Sequence, residues 1–204
     1  MLSDTHCHLD LKKFDPDRGA VLERAIQAGV NRILIPGLSL ASSLSAVKLA
    51  ESHPLLFAAV GVHPTEAERW TEETSNKLRG IVLESGGLPP THGRPSVIHR
   101  NLESSGLPPT EEQTPVIQKK IVAIGEIGLD YYWDSAPHLL QQDVLLQQLA
   151  LAAELQLPVV IHFREKADAS PEDCASDLMK ILQEWVTGLR RENSPLVSRS
   201  GVLH

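Results

Sequence analysis

The sequence predicts an α/β fold with a mostly parallel sheet. Short β-type runs alternate with amphipathic helical stretches along the chain. Runs such as VNRILIP and LPVVIH are nearly continuously apolar, as strands are when both faces of a sheet are covered. The chain has 204 residues, 42% hydrophobic and 22% charged, which suits one globular domain.

Strands are expected at Leu2–His8, Asn31–Pro36, Leu55–Val62, Ile121–Ile127 and Pro158–His162, with Gly201–His204 a shorter sixth. Helices are expected near Asp15–Ala28, Ser39–Ser52, Glu66–Glu84, Ala136–Leu155 and Pro171–Leu189. The fifth helix has the clearest signals. Ser170 suits its cap, Pro171 its first position and Asp173 a capping-box acid. Leu178, Ile181, Leu182, Trp185 and Leu189 then recur at helical spacing. Residues 84–115 break the rhythm. ESGGLPPT at Glu84–Thr91 returns as ESSGLPPT at Glu103–Thr110, 19 residues later. So much Pro, Gly and Ser opposes helix and central strand alike. The expectation is a single domain over 1–204 with a flexible insertion at about 84–115. His92 and His99 fall inside it and are given no metal role.

Lys plus Arg is 19 against 26 Asp plus Glu, a formal charge of -7. That excludes a basic nucleic-acid-binding module of the usual kind. An enzyme meeting phosphate at a metal centre stays open, because divalent ions bring their own positive charge. Two cysteines, Cys7 and Cys174, are too few for a disulfide scaffold. MLSDTHCHLD has no basic stretch leading into an apolar one, and no apolar run reaches bilayer length. The expected location is cytoplasmic, with no membrane partner.

The nine histidines carry the functional reading. On a strand, His6 and His8 share a face and Cys7 takes the other. Such a pair suits a metal ion, although two histidines near a terminus also arise by chance. His63, His162 and His204 each close an apolar run, in GVHP, VVIH and GVLH, and Glu126 stands in GEIG. Each alone reads as an ordinary hydrogen-bonded side chain. Together, in a parallel barrel, His8, His63, His162, His204 and Glu126 converge at the rim where barrel active sites lie. Imidazoles and a carboxylate there make a site for one or two divalent ions.

At these residues the chain resembles the TatD family of metal-dependent hydrolases. The matching motifs are DTHCHLD (Asp4–Asp10), GVHP (Gly61–Pro64), AIGEIGLDYY (Ala123–Tyr132), LPVVIHFRE (Leu157–Glu165) and GVLH (Gly201–His204), in the family's order. The resemblance implies a (β/α)8 TIM-barrel-type fold, incomplete, with about five to six of its eight strands. It implies hydrolysis of DNA phosphodiester bonds by water activated at two divalent ions. His6 and His8 would bind one ion, Glu126 would bridge both, and His162 with His204 would bind the second. Glu126 and His63 would be catalytic, and His63 and Arg164 would meet the substrate phosphate. Imidazole ligands suit zinc, manganese or cobalt, whereas the family implies magnesium. Hydrolysis of an amide, lactone or D-aminoacyl ester, or a non-catalytic metal-binding fragment, are the competing readings. Members run to roughly 260 residues, in line with the usual size of such barrels. This chain lacks their later aspartate-bearing motif and has Phe163 where a small polar residue is usual. The expectation is a C-terminally truncated fragment with an unclosed barrel.

Overall fold

A computed structural model describes residues 2–85, 119–133, 135–166 and 174–204. Most of the expected insertion, residues 86–115 with His92 and His99, and the expected cap at Ser170, Pro171 and Asp173 lie outside the described residues, whereas Glu84 at its start ends a helix.

Strands and helices alternate as β1 (Leu2–Asp4), α1 (Arg18–Gln27), β2 (Val30–Pro36), α2 (Leu40–Glu51), β3 (Leu56–Val60), α3 (Glu72–Glu84), β4 (Ile121–Asp130), α4 (His138–Leu155), β5 (Val159–Arg164), α5 (Cys174–Arg191) and β6 (Gly201–Leu203). Among the described residues, the six strands form one all-parallel sheet in the order β1-β2-β3-β4-β5-β6. Each strand therefore pairs with its successor in sequence, as in a (β/α)8 barrel. β1 and β6 are the edges, and both are exposed along their length. Yet His6, just after β1, and His204, just after β6, stack ring on ring at 3.6 Å. The sheet thus curls into part of a barrel and brings its C-terminal strand ends together.

The main core lies between sheet and helices. Ile33, Ile35, Leu56, Val60, Ile124 and Ile161 pack there with Ala46, Leu78, Leu145, Leu149 and Leu178. The other sheet face carries a small second cluster of Ala59, Ala123 and Val160 beside Leu34. Burial on both faces explains the apolar runs in β2 and β5.

Several elements differ from expectation. β1 stops at Asp4 rather than His8. The Asp4 carboxylate accepts the His6 backbone N–H at 3.0 Å, turning the chain aside. Cys7 N–H still reaches Leu34 O of β2 at 3.0 Å. The single helix expected over Glu66–Glu84 is two pieces. A 3-10 turn covers Pro64–Arg69, Trp70 and Thr71 are extended, and α3 begins at Glu72. Thr71 is a good N-cap, its hydroxyl accepting the Thr74 N–H at 3.1 Å, with Glu72 and Glu73 in the first turn. β4 runs three residues past Ile127, to Asp130. α4 starts two residues late because Pro137 is extended.

Two buried glutamines of α4 hold the strand ends in place. Gln148 accepts the Val62 N–H at 2.8 Å and donates to Val62 O at 2.9 Å. Gln141 accepts the Asp130 N–H at 2.8 Å and donates to Asp130 O and Ala136 O, both at 3.0 Å. They satisfy backbone groups where two strands leave the ladder. Gln148→Leu should orphan both polar groups of Val62 and cost about 3 kcal/mol. Urea denaturation of wild type and variant measures it; a loss under 1 kcal/mol, on the order of an ordinary surface change, would refute the clamp.

Candidate metal centre

Glu126 is the middle of the site. It lies on β4, the most enclosed strand, and its residue is 2% exposed. Oε2 lies 3.1 Å from His6 Nε2 and 3.5 Å from His8 Nε2. Oε1 lies 2.8 Å from His162 Nδ1 and 3.8 Å from His63 Nε2. Each carboxylate oxygen thus faces a different group of imidazoles. His204 joins Glu126 and His162, their nearest ligand atoms all within 4.8 Å of one another. The predicted residues His6, His8, His63, Glu126, His162 and His204 therefore meet at one place. Arg164, the last residue of β5, lines the same cavity of about 940 Å³, as does Arg69.

Electrostatics keep the cluster polarised. Burial alone would raise the Glu126 carboxyl, but hydrogen bonds from His162, His6 and His8 hold it well below the usual carboxylate range. For His162 burial works against the charged form, and Glu126 and Asp130 outweigh it, so its pKa rises. The Glu126 hydrogen bond also raises His8. Burial, then the neighbouring His162, push His63 down to about 4. His63 is therefore a neutral ring near pH 7. Its Nδ1 accepts the Thr65 backbone N–H at 3.2 Å, so the ring proton sits on Nε2 and faces the site.

The donor set fits a divalent cation. His6 Nε2 and His8 Nε2 approach to 3.1 Å beside a buried carboxylate oxygen. Their Nδ1 atoms are buried and have no hydrogen-bond partner. Two imidazole nitrogens brought this close to each other and to one carboxylate oxygen are a set of ligand type, and it suits a cation better than a hydrogen-bond network. Three groups of ligand type are present among the described residues: His6, His8 and Glu126; Glu126, His162 and His204; and His63, Asp130 and His162.

Sequence reasoning missed Asp130, which is 1% exposed. Its Oδ2 lies 3.0 Å from His162 Nε2, and its Oδ1 accepts the Tyr132 and Trp133 N–H groups, each at 3.1 Å. Ending the strand at Ile127 hid it. Glu126 and Asp130 are four residues apart, and that even spacing places both on one face of a strand. Sequence reasoning also missed the partners of Arg164, whose guanidinium lies 4.2 Å over the Tyr132 ring and 5.5 Å from that of Trp133.

A curled parallel sheet with a His/Glu/Asp cluster at its C-terminal strand ends defines a barrel of the metal-dependent hydrolase type. The TatD related DNase family matches residues 3–204, and the chain belongs to that family. It is 32% identical over 184 residues to an uncharacterized metal-dependent hydrolase, YabD, of Bacillus subtilis, covering 90% of this chain and 56% of the relative. It is 35% identical over 187 residues to the 3'-5' ssDNA/RNA exonuclease TatD of a Pantoea species, covering 91% and 56%. The crystal structure of the Escherichia coli TatD homologue YjjV superposes with a TM-score of 0.64 at 29% identity, covering all of this chain and 59% of that one. The chain spans about half the length of the curated relatives it matches. Among the described residues, no helix is long and apolar enough to cross a membrane.

Proposed function

We propose that this chain carries the metal centre of a hydrolase that cleaves DNA phosphodiester bonds. The observation that carries the reading is Glu126, whose two buried oxygens face His6 and His8 on one side and His162 on the other. In this reading His6, His8 and Glu126 hold one divalent ion, and Glu126, His162 and His204 hold a second. The imidazole-rich set favours zinc or manganese over magnesium. Such ions supply Lewis acidity toward a phosphoryl oxygen and lower the pKa of water.

The chain's own groups supply the rest. Glu126 stays ionised and fixes the spacing of its histidine partners. His63 presents its Nε2 proton to the cavity as a neutral donor for a phosphate oxygen. Arg164 and Arg69 line the same cavity and favour an anionic substrate. These cations are local, as the net charge of -7 requires. The family supports the reading, and a relative named as a 3'-5' ssDNA/RNA exonuclease supports the substrate class.

The test is a substrate panel with manganese, zinc or magnesium: an end-labelled oligodeoxynucleotide, a lactone and a D-aminoacyl ester. Cleavage of the oligonucleotide is expected. Turnover of a carbonyl substrate with the oligonucleotide left intact would overturn the proposal.

Asp130 is a positioning residue in this scheme, because its carboxylate holds the far nitrogen of His162. Asp130→Asn should weaken divalent-metal affinity about 10–100-fold. Calorimetric titration with manganese checks it, and an unchanged affinity would remove Asp130 from the scheme.

A further inference from the structure

The three tryptophans are treated differently by the fold. Trp70 is buried, and its indole N–H donates to Gln147 Oε1 at 2.7 Å. Trp185 packs against the core and donates to Leu149 O at 3.1 Å. Trp133 is 50% exposed, and the adjacent Tyr132 is 39% exposed. Trp133 also lines the cavity that contains Glu126 and the histidines.

The aromatic pair is held by hydrogen bonds as well as by packing. Asp130 Oδ1 accepts both backbone N–H groups at 3.1 Å, while Oδ2 of the same carboxylate holds His162. One buried side chain therefore sets the aromatic pair relative to a residue of the metal centre. The two rings meet edge to face, with centroids 4.8 Å apart and planes at 81°. Arg164 lies over Tyr132, so its planar cation is oriented beside the cavity.

An exposed indole on a cavity wall leaves apolar surface in water, and a flat ligand would cover it. Next to it stand Arg164 and a cluster suited to divalent ions, which select an anion. A flat apolar face joined to an anion at short range is the chemistry of a nucleotide. Aromatic faces stack on any base, provided that base is unpaired.

We propose that Trp133, Tyr132 and Arg164 form a nucleobase subsite beside the metal centre. Trp133 stacks on a base of the substrate and Arg164 contacts the adjoining phosphate. The proposal rests on the phosphodiesterase reading for its substrate class.

The experiment compares two short single-stranded oligodeoxynucleotides with equal numbers of phosphates, one of thymidines and one of abasic residues. Binding is measured by fluorescence anisotropy without added metal, and cleavage is measured with manganese. Wild type should bind the thymidine oligomer about 10-fold more tightly, the size expected for one stacked base. W133A should lose that preference, and W133F should keep most of it. Equal binding of both oligomers by wild type, no binding of either, or a preference that survives in W133A would each overturn the subsite. Cleavage reports separately: both oligomers left intact while the base preference persists would sink the phosphodiesterase reading and leave the subsite standing.

Discussion

Glu126→Gln should reduce divalent-metal affinity by more than about 100-fold and take metal-dependent hydrolysis to background. Losing a partner of a ligand costs about 10–100-fold, so losing a carboxylate shared by two ligand groups should cost more. The substitution keeps shape and volume, so the strand can keep its packing. It removes the negative charge that His6, His8 and His162 face. It also turns one acceptor oxygen into an NH2 donor, aimed at imidazole nitrogens on one side or the other. Neither amide orientation restores both interactions, because each oxygen of the carboxylate has its own partners. Calorimetric titration with zinc and manganese, with circular dichroism as the check on folding, measures the effect. A folded variant with wild-type metal affinity would remove Glu126 from the centre of the site.

The strand-end histidines were legible because three short runs, GVHP, VVIH and GVLH, have the same form. In a sheet of parallel strands that likeness becomes proximity, and the structure brings those residues to one cavity. His6 and His8 converge as expected, for a different reason. They follow β1 rather than lie on it, and the Asp4 turn places them. Local competition between an Asp side chain and the strand ladder decided this, and spacing alone does not show it. The break between the 3-10 turn and α3 was written in Thr71, Glu72 and Glu73, a cap and an acidic first turn inside the range expected as one helix. Gln141 and Gln148 were visible only as polar residues in a helix. Their role needs the ends of β4 and β3, the first across an intervening loop and the second 86 residues away in sequence. The stacking of Arg164 on Tyr132 joins β5 to the loop after β4, and no local pattern encodes such a contact. What sequence shows well is repetition and periodicity; what it hides is pairing between elements.

Gly128→Ala should be the most damaging single methyl group in the described structure. Gly128 pairs with His162 across β4 and β5. A Cβ there would lie 2.0 Å from His162 O and 2.9 Å from His162 C and N. All three are backbone atoms of an interior strand, so no side chain can swing aside. The φ of +149° is in addition one that a side chain rarely adopts. Relief requires β4 and β5 to separate, and that motion would stretch the Glu126–His162 contact of 2.8 Å and the Asp130–His162 contact of 3.0 Å. A loss of more than about 4 kcal/mol is expected, within the range that backbone strain and overpacking reach. Against a total stability of about 5–15 kcal/mol, that is a large share. Gly188→Ala in α5 is the control, since a Cβ there meets nothing within 4 Å. It should gain about 0.5–1 kcal/mol from helix propensity. Urea denaturation of the two variants beside wild type separates the effects. A Gly128→Ala protein as stable as Gly188→Ala would show that β4 and β5 approach less closely than this geometry requires. A folded Gly128→Ala protein with weakened metal binding would show the strain being released through the site, because the same backbone that leaves no room for a methyl group holds His162 between its two carboxylates.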